Sequence, residues 1–452
     1  MNICVLNGSP KGNNSITVHT VLYLEKKFPM HHFQYVNVGS QIRLLEKDMS
    51  AVLEAMKNAD LLLFSYPVYT FLAPSQLHHF IRLLKESGVS LQGKFASQIT
   101  TSKHFYDMTA HQYVEDNCFD LGLKVIHGLS ADMEDLTTPS GQKDATDFFQ
   151  YVLWCMENDV YEQPTGKRGA TAETSDPVKT VTTEQPNDHE KQDYEIVIVA
   201  DLSEEDLALK QKIDAFTSAC SCKTRLVNLA TYPFQGGCLG CFHCAADGKC
   251  IYKDGFDTFL REEIQRADAI VYAFSIVDHS MGYRFKMYDD RQFCNGHRTV
   301  TEGMPFGYLI NGDYCAEHNL QTVIDARCQV GHNFLAGVGF DDSTIQTMSR
   351  RLLYALENGY VPPRNFWGVG GMKIFRDLIW LMRGLMKADH EFYKAHGIYD
   401  FPQKQKGKML MMCLLGAMIR NPKIQRKMGN KMTEGMVAPY KKVIANCKET
   451  TD

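Results

Sequence analysis

Short, uninterrupted apolar segments recur along the chain and alternate with segments of helical periodicity. Ile3–Leu6 and Ile196–Val199 each open one half of the chain. In each half a helical segment then ends in Ala-Asp, at Ala59–Asp60 and Ala267–Asp268, and a second apolar run follows directly. Short apolar runs of this kind are typical of parallel strands buried on both faces. The pattern therefore predicts a doubly wound α/β sheet, with three αβα layers, in each half.

Further landmarks recur in the same order in the two halves. A third apolar strand is predicted at Phe95–Ile99 and again at Phe306–Ile310, and a last helix ends at Glu157–Asn158 and again at Glu357–Asn358. Independent landmarks in one order indicate an internal repeat. Between the repeats, residues 163–193 are rich in Thr, Pro, Glu, Asp and Lys, which predicts a flexible linker. We therefore expect domains over 1–162 and 194–360 and an extension over 361–452.

The composition is that of an ordinary globular protein. Of 452 residues, 44% are hydrophobic and 22% charged, and the net charge of −5 gives no reason to expect nucleic acid as a partner. The N-terminal segment lacks the features of a secretory signal, so we expect a cytoplasmic protein. Fourteen cysteines then favour metal or redox chemistry over structural disulfides. The pair Cys220 and Cys222 precedes a predicted strand and is assigned no role.

The turn after the first strand is rich in small and hydroxyl-bearing residues. It has the sequence NGSPKGNNSIT over residues 7–17 and leads into a helix. Backbone N–H groups and hydroxyls at the positive end of a helix can bind a phosphate, and Lys11 can add a charge. The turn is neither a Walker A loop nor a GxGxxG loop. A Gly/Ser-rich turn that binds no ligand is the alternative.

Two further loops are expected at the same edge of the first sheet. Tyr66–Phe71 follows the second apolar strand and Thr101–His104 follows the third. Ligands of doubly wound sheets bind at the carboxyl ends of the strands. Aromatic side chains and exposed backbone there would suit the isoalloxazine ring of a flavin.

These three loops resemble those of the NAD(P)H-dependent FMN reductase and iron–sulfur flavoprotein group of the flavodoxin-like superfamily. Residues 8–17 match the phosphate loop of that group, and Pro67–Tyr69 matches its flavin loop. The resemblance implies two flavodoxin-like domains, FMN as cofactor and NAD(P)H as electron donor. It implies phosphate contacts from Ser9, Lys11, Asn13, Asn14, Ser15, Ile16 and Thr17, and ring contacts from Tyr66, Pro67, Val68, Tyr69, Thr70, Phe71, Thr101, Ser102, Lys103 and His104. His104 and Tyr69 are candidate proton donors, or simple ring contacts.

Four closely spaced cysteines occur in the second half only. They follow the pattern C-x2-C-x2-C-x5-C, at Cys238, Cys241, Cys244 and Cys250. Thiolates at this spacing can hold a [4Fe–4S] cluster or a tetrahedral zinc ion, and free or redox-active thiols are the third interpretation. The motif is similar to the compact cluster motif of iron–sulfur flavoproteins, and this resemblance favours the [4Fe–4S] cluster.

The second half departs from the first at its phosphate loop. Its first strand is followed by Asp201, Glu204, Glu205 and Asp206, whose carboxylates would repel a phosphate. The loop after its second strand is changed as well, to Phe274–Val277. We therefore expect one FMN for each chain, bound by the first half. The two halves are expected to pair with each other, so that the cysteine loop faces that FMN.

The extension over residues 361–452 is basic and rich in methionine. It holds 17 Lys and Arg against 7 Asp and Glu. Helices are predicted around 372–386 and 409–419, and the second apolar run is shorter than the ~20 residues that span a bilayer. Such helices can dock on the acidic body of the chain, the favoured interpretation, or make a peripheral contact with an anionic membrane.

The sequence thus predicts an FMN-dependent oxidoreductase. Electrons would pass from NAD(P)H or a reduced carrier through the flavin, with or without a cluster, to a small-molecule or protein acceptor. Two other functions fit the sequence, an electron-transfer flavoprotein without a substrate and a thiol or metal redox sensor. A homodimer is a further expectation.

Overall fold

The computed structural model describes residues 1–104, 106–163 and 192–419. The chain divides into two compact units, Met1–Phe392 and Tyr393–Asp452, and both β-sheets belong to the first unit. Most of the predicted linker, and the part of the predicted extension after residue 419, lie outside the described residues.

The first sheet is entirely parallel and has the strand order β2-β1-β3-β4-β5, with β6 also paired to β4. Ile3 of β1 lies opposite Phe33 on one side and Leu61 on the other. The short strands β5 and β6 pair with successive parts of β4 and together form an interrupted fifth strand. The strands are β1 Asn2–Asn7, β2 His32–Val36, β3 Leu61–Pro67, β4 Phe95–Ser102, β5 Lys124–Val125 and β6 Leu129–Asp132.

The second sheet repeats this topology. Its order is β11-β10-β9-β7-β8, and Ile196 of β7 lies opposite Ala269 of β9 as Ile3 lies opposite Leu61. When strands are counted from the start of each half, both sheets have the order 2-1-3-4-5 of flavodoxin-like folds. The predicted fold class is therefore confirmed. The strands are β7 Gln192–Ala200, β8 Cys222–Asn228, β9 Ala269–Ser275, β10 Pro305–Asn311 and β11 Phe334–Gly339.

Fourteen α-helices occur in the described residues, and local signals fix several of their ends. Asp341 and Thr344 form a capping box before the last helix of the second half, which ends at Gly359 with φ +57°. The helices are α1 Ile16–Lys27, α2 Ile42–Leu45, α3 Ser50–Asn58, α4 Ser75–Glu86, α5 Asp107–Asp120, α6 Pro139–Glu157, α7 Leu207–Ala219, α8 Phe256–Phe259, α9 Gly282–Arg291, α10 His318–Gly331, α11 Asp342–Asn358, α12 Phe366–Leu381, α13 Lys387–Ala395 and α14 Lys406–Ile419.

Three buried apolar clusters hold the first unit together. One covers the outer face of the first sheet beneath α1 and α6, and a second covers the outer face of the second sheet beneath α7 and α11. The third is continuous across both halves, because α4 packs on α9 and α5 packs on α10. At this junction the rings of His79 and Tyr283 stack 3.9 Å apart. The two halves therefore share a core in the manner of two subunits of a dimer.

The predicted helical character of the C-terminal extension is confirmed. The predicted apolar run at 409–419 falls in α14, whose six large apolar side chains between Met409 and Met418 are each 49–64% exposed. Among the described helices, none combines the length and apolar character that a membrane span requires.

Candidate functional site

Two loops of the first half meet where the strand order of its sheet reverses. Residues 8–17 follow β1 and the Tyr69–Leu72 turn follows β3, and these strands are neighbours in the sheet. The helices that follow them, α1 and α4, lie on opposite faces of the sheet. Such a switch point opens a crevice at the carboxyl ends of the strands and is the usual ligand site of this topology.

The loop over residues 8–17 carries three buried hydroxyl residues before and within the first turn of α1. Ser9, Ser15 and Thr17 are only 0%, 2% and 0% exposed, and the Thr17 hydroxyl lies 2.6 Å from that of Thr101 on β4. Within the described part of the chain, the N-cap Ser15 makes no side-chain hydrogen bond to the first turn of α1. The positive end of α1 therefore has no carboxylate cap and is surrounded by hydroxyls, which suits a phosphate group.

In the second half, the corresponding position is filled by the protein's own carboxylates. Asp206 caps α7 by accepting a hydrogen bond from the backbone N–H of Leu209 at 3.0 Å, and it also accepts one from the Ser275 hydroxyl. Asp201 pairs with Arg284 at 2.7 Å, while burial raises the pKa of its carboxyl group. A phosphate at this helix end would have to displace these contacts. The carboxylates from which the sequence predicts a loss of phosphate binding thus lie at this helix end.

The Tyr69–Leu72 turn has a backbone shape that its residue types do not favour. Thr70 and Phe71 have φ of +47° and +70°, and Tyr69 and Leu72 bond to each other through their backbone N–H and C=O groups at 2.7 and 3.0 Å. Non-glycine residues in this region are uncommon and often mark functional loops. Residues Val277–Ser280 form the same turn in the second half, with positive φ at Asp278 and His279.

The residues predicted to border a flavin ring occupy different environments. Tyr66 is fully buried, and its hydroxyl oxygen lies 2.6 Å from the Gln98 side-chain oxygen and 3.0 Å from the carbonyl oxygen of Ala110, the two acceptors for its proton. Phe71 is 4% exposed and packs edge-on against Tyr106. Both rings therefore belong to the core. Partly exposed side chains near the crevice are those of Pro67, Val68, Thr70 and Ser102.

The loop after β4 is held by charges. Lys103 lies 2.9 Å from Asp132 and 3.2 Å from Glu134. The side chain of His104 is 54% exposed, at a residue with φ +53°, and its ring nitrogens are 3.9 and 4.0 Å from the nearest carboxylates. His104 is thus accessible and loosely held. The hydroxyl of Tyr69, in contrast, is deeply buried, and burial raises its pKa well above the usual value.

The cysteine loop (Cys238–Cys250) of the second half lies against the two ligand loops of the first half. Gly240 has φ +58°, and a Cβ there would lie 2.0 Å from the Tyr69 hydroxyl oxygen. The Lys11 ammonium lies 5.5 Å from the ring centroid of Phe242, and the carbonyl of Cys238 accepts a hydrogen bond from Gln76 at 3.3 Å. The predicted placement of this loop beside the first-half site agrees with the structure.

Sequence reasoning missed a buried ionic cluster behind the Tyr69–Leu72 turn. Lys286 of α9 is fully buried, and its ammonium donates to the carbonyl of Tyr69 at 2.9 Å and to the Thr70 hydroxyl at 3.2 Å. It also pairs with Asp289 and Asp290. Asp290 accepts from the backbone N–H of Ser75 at 2.8 Å and so caps α4 of the other half. The second half therefore holds the turn in place.

The four cysteines do not form a converged metal site. Within residues 1–104, 106–163 and 192–419, no three His, Cys, Asp or Glu side chains come together as a metal-binding group. The Cys244 thiol donates to the carbonyl of Phe293 at 3.2 Å, and burial raises its pKa to about 11. Burial also raises the pKa of the Cys238 thiol. This arrangement does not fit a cluster, which needs converging thiolates, and the predicted [4Fe–4S] site has no support from it.

One family model matches the chain. It is described as NADPH-dependent FMN reductase and covers residues 1–131, which contain all three predicted ligand loops. The resemblance stated from these loops is therefore confirmed for the first half. No curated protein matches the sequence.

Solved structures similar to this chain span about a third of it. An NAD(P)H:quinone oxidoreductase from Methanothermobacter marburgensis is 12% identical, with 36% of this chain and 98% of that chain covered and a TM-score of 0.28. An FMN-dependent NADH-azoreductase from Bacillus anthracis, solved with FMN, is 13% identical, with 35% and 99% covered and a TM-score of 0.29.

Proposed function

We propose that this chain, whose first 131 residues match the NADPH-dependent FMN reductase family, is an NAD(P)H-dependent flavin oxidoreductase that binds one FMN in its first half. The observation that carries the proposal is the contrast between two equivalent helix ends. The start of α1 is surrounded by buried hydroxyls and has no carboxylate cap, whereas the start of α7 is capped by Asp206.

Several residues of this chain would hold the cofactor. The backbone N–H groups at the start of α1, with Ser9, Ser15 and Thr17, would bind its phosphate, since a helix N-terminus favours an anion. The exposed Lys11 would add a positive charge. Bound FMN would supply the redox chemistry, accepting a hydride from a nicotinamide and passing electrons on.

The remaining contribution of the chain is orientation and proton control. Lys286 and Asp290 of the second half hold the Tyr69–Leu72 turn in place, so the isoalloxazine ring of a bound FMN would contact a rigid turn. The Tyr69 hydroxyl is protonated at neutral pH and can donate a hydrogen bond, and burial, which raises its pKa further, makes it a poor source of a transferable proton. The accessible His104 is the alternative proton donor for this site.

The proposal is tested by Ser15→Asp, which copies the second-half arrangement into the first. Aspartate is as good an N-cap as serine, so α1 should form, but its carboxylate would occupy the proposed phosphate position. We expect FMN affinity to fall at least ~100-fold, measured by flavin fluorescence during titration, because two like charges would meet in a partly desolvated site.

The matched control is Ser203→Asp, an exposed position in the acidic loop of the second half. It adds the same charge and should leave FMN affinity and the stoichiometry of one per chain unchanged. Equal affinity in wild type and Ser15→Asp would refute the assigned site. If the loaded protein fails to oxidise NADH or NADPH with quinone or dye acceptors, the substrate-free electron-transfer flavoprotein would be supported instead.

The predictions about the metal cluster, the oligomeric state and the cellular location are tested separately. Iron and acid-labile sulfide in protein purified without oxygen would establish the [4Fe–4S] cluster at the four cysteines, and their absence would favour the free or redox-active thiols. Light scattering tests the proposed homodimer. A cytoplasmic location is tested by cell fractionation.

A further inference from the structure

Cys220 and Cys222 form a thiol pair far from the proposed flavin site. α7 ends at Ala219 and β8 begins at Cys222, with a bend at Ser221 between the two cysteines. The pair therefore lies at the amino end of a strand, whereas the ligand loops follow the carboxyl ends of their strands. Only Ser221 separates the two cysteines along the chain.

A cavity of about 570 Å³ opens onto this pair. Both cysteines line it, together with polar residues from the starts of β7 and β8 and the end of α7, namely Asp193, Thr217, Ser218, Lys223 and Thr224. Cys220 is partly exposed, while Cys222 is only 4% exposed. A small oxidant can thus reach Cys220 first, with Cys222 behind it.

The surroundings of the pair shift the pKa values of its two thiols in opposite directions. A hydrogen bond from Cys222 lowers the pKa of Cys220 to about 7. The same hydrogen bond, with burial, raises the pKa of Cys222. Thiolates are the reactive form of cysteine, so the accessible residue is the nucleophile and the buried residue remains a thiol.

We propose that Cys220 and Cys222 are a redox-active dithiol that a hydroperoxide converts to an intrachain disulfide. The Cys220 thiolate attacks the peroxide, the O–O bond breaks, and Cys220 becomes a sulfenic acid while the other oxygen leaves as water or an alcohol after protonation. The Cys222 sulfur then attacks the Cys220 sulfur, the S–O bond breaks and water leaves. Two thiols are oxidised and one peroxide is reduced.

The intact chain allows a direct test because trypsin releases both cysteines in one peptide, IDAFTSACSCK, residues 213–223, which holds no other cysteine. After brief treatment of folded protein with hydrogen peroxide at pH 7, we expect this peptide to lose two hydrogens and to regain them with dithiothreitol. Cys315, a lone exposed cysteine, is the matched control. Before oxidation, Cys220 should alkylate faster than Cys222, since Cys220 is partly exposed and Cys222 is only 4% exposed.

Two variants separate the roles of the thiols. Cys222→Ser should stop the reaction at the Cys220 sulfenic acid, which dimedone traps, and Cys220→Ser should leave Cys222 unmodified. A reduced 213–223 peptide under conditions that oxidise Cys315 would overturn the proposal, and so would equal alkylation rates of Cys220 and Cys222. Because FMN is not involved, these outcomes are independent of the flavin site.

Discussion

Replacement of Lys286 by methionine tests how much the junction between the two halves contributes to the stability of the first unit. Lys286 is fully buried and has four oxygen acceptors, on Tyr69, Thr70, Asp289 and Asp290. Methionine keeps most of the volume but leaves Asp290 buried without its counter-charge. Removing one partner of a buried ion pair costs about 3–5 kcal/mol. We expect the free energy of unfolding of the first unit to fall by that amount.

The assay is urea unfolding followed by circular dichroism, with midpoints compared at equal m value. The control is Lys210→Met on α7, where the lysine is exposed, and its effect should stay within about 0.5 kcal/mol. Asp290→Asn completes a double-mutant cycle, because its amide oxygen can still accept from Ser75. We expect a coupling energy of at least ~1 kcal/mol between positions 286 and 290.

Two results would refute this reasoning. One is a loss below about 1 kcal/mol in Lys286→Met, which would mean that water reaches the cluster. The other is strict additivity in the cycle. FMN affinity supplies a second readout, since the displaced Tyr69–Leu72 turn should weaken binding in Lys286→Met and leave Lys210→Met unchanged.

Three further predictions concern Gly240, His279 and α14. Gly240→Ala should weaken FMN binding and destabilise the cysteine loop by ~1–3 kcal/mol in a urea titration, because the added Cβ would collide with Tyr69. The control is Gly255→Ala, which also has a positive φ of +74° but no atom within 4 Å of the added Cβ, so it measures the cost of the backbone conformation alone. Hydrogen bonds to Asp120 and Glu317 raise the pKa of His279 to about 10. Protonated His279 therefore stabilises the fold fully below pH ~6.5, and this contribution is lost as the pH rises toward 10. His279→Gln should remove ~2 kcal/mol at pH 6 and nothing at pH 10.5, measured by urea unfolding, and equal losses at both would contradict this. If the extension docks on the chain itself, the protein should not bind anionic vesicles in flotation at low salt. Binding that weakens in Leu414→Glu, at the exposed apolar side chains of α14, would support the membrane alternative instead.

The sequence predicted the architecture well for a physical reason. Buried parallel strands such as Ile3–Leu6 and Ile196–Val199 must be continuously apolar, so each strand is visible in a local window. The Gly8–Thr17 loop was found for a similar reason, since small and hydroxyl residues stand together at one strand-to-helix turn.

The residues that connect the halves could not be found this way. Lys286, Asp289 and Asp290 lie on a helix whose charged residues suggest a solvated surface, and only the packing of α4 against α9 buries them. Tyr66 shows the opposite error, because an aromatic residue beside a ligand loop points into the core through bonds to Gln98 and Ala110. Side-chain direction at a strand end and contacts distant in sequence both depend on tertiary structure.

Each half contacts and stabilises a turn of the other half, and this has an evolutionary consequence. Lys286 of the second half holds the Tyr69–Leu72 turn, and Lys85 and Asn117 of the first half contact Asp278 in the Val277–Ser280 turn. In a dimer of identical subunits one gene specifies both sites, so every substitution appears twice. Covalent linkage removes this restriction: each half can accumulate changes that its counterpart does not inherit. The second half could thus acquire Asp206 and the cysteine loop while the first retained its open helix end, and selection on one site no longer constrains the other.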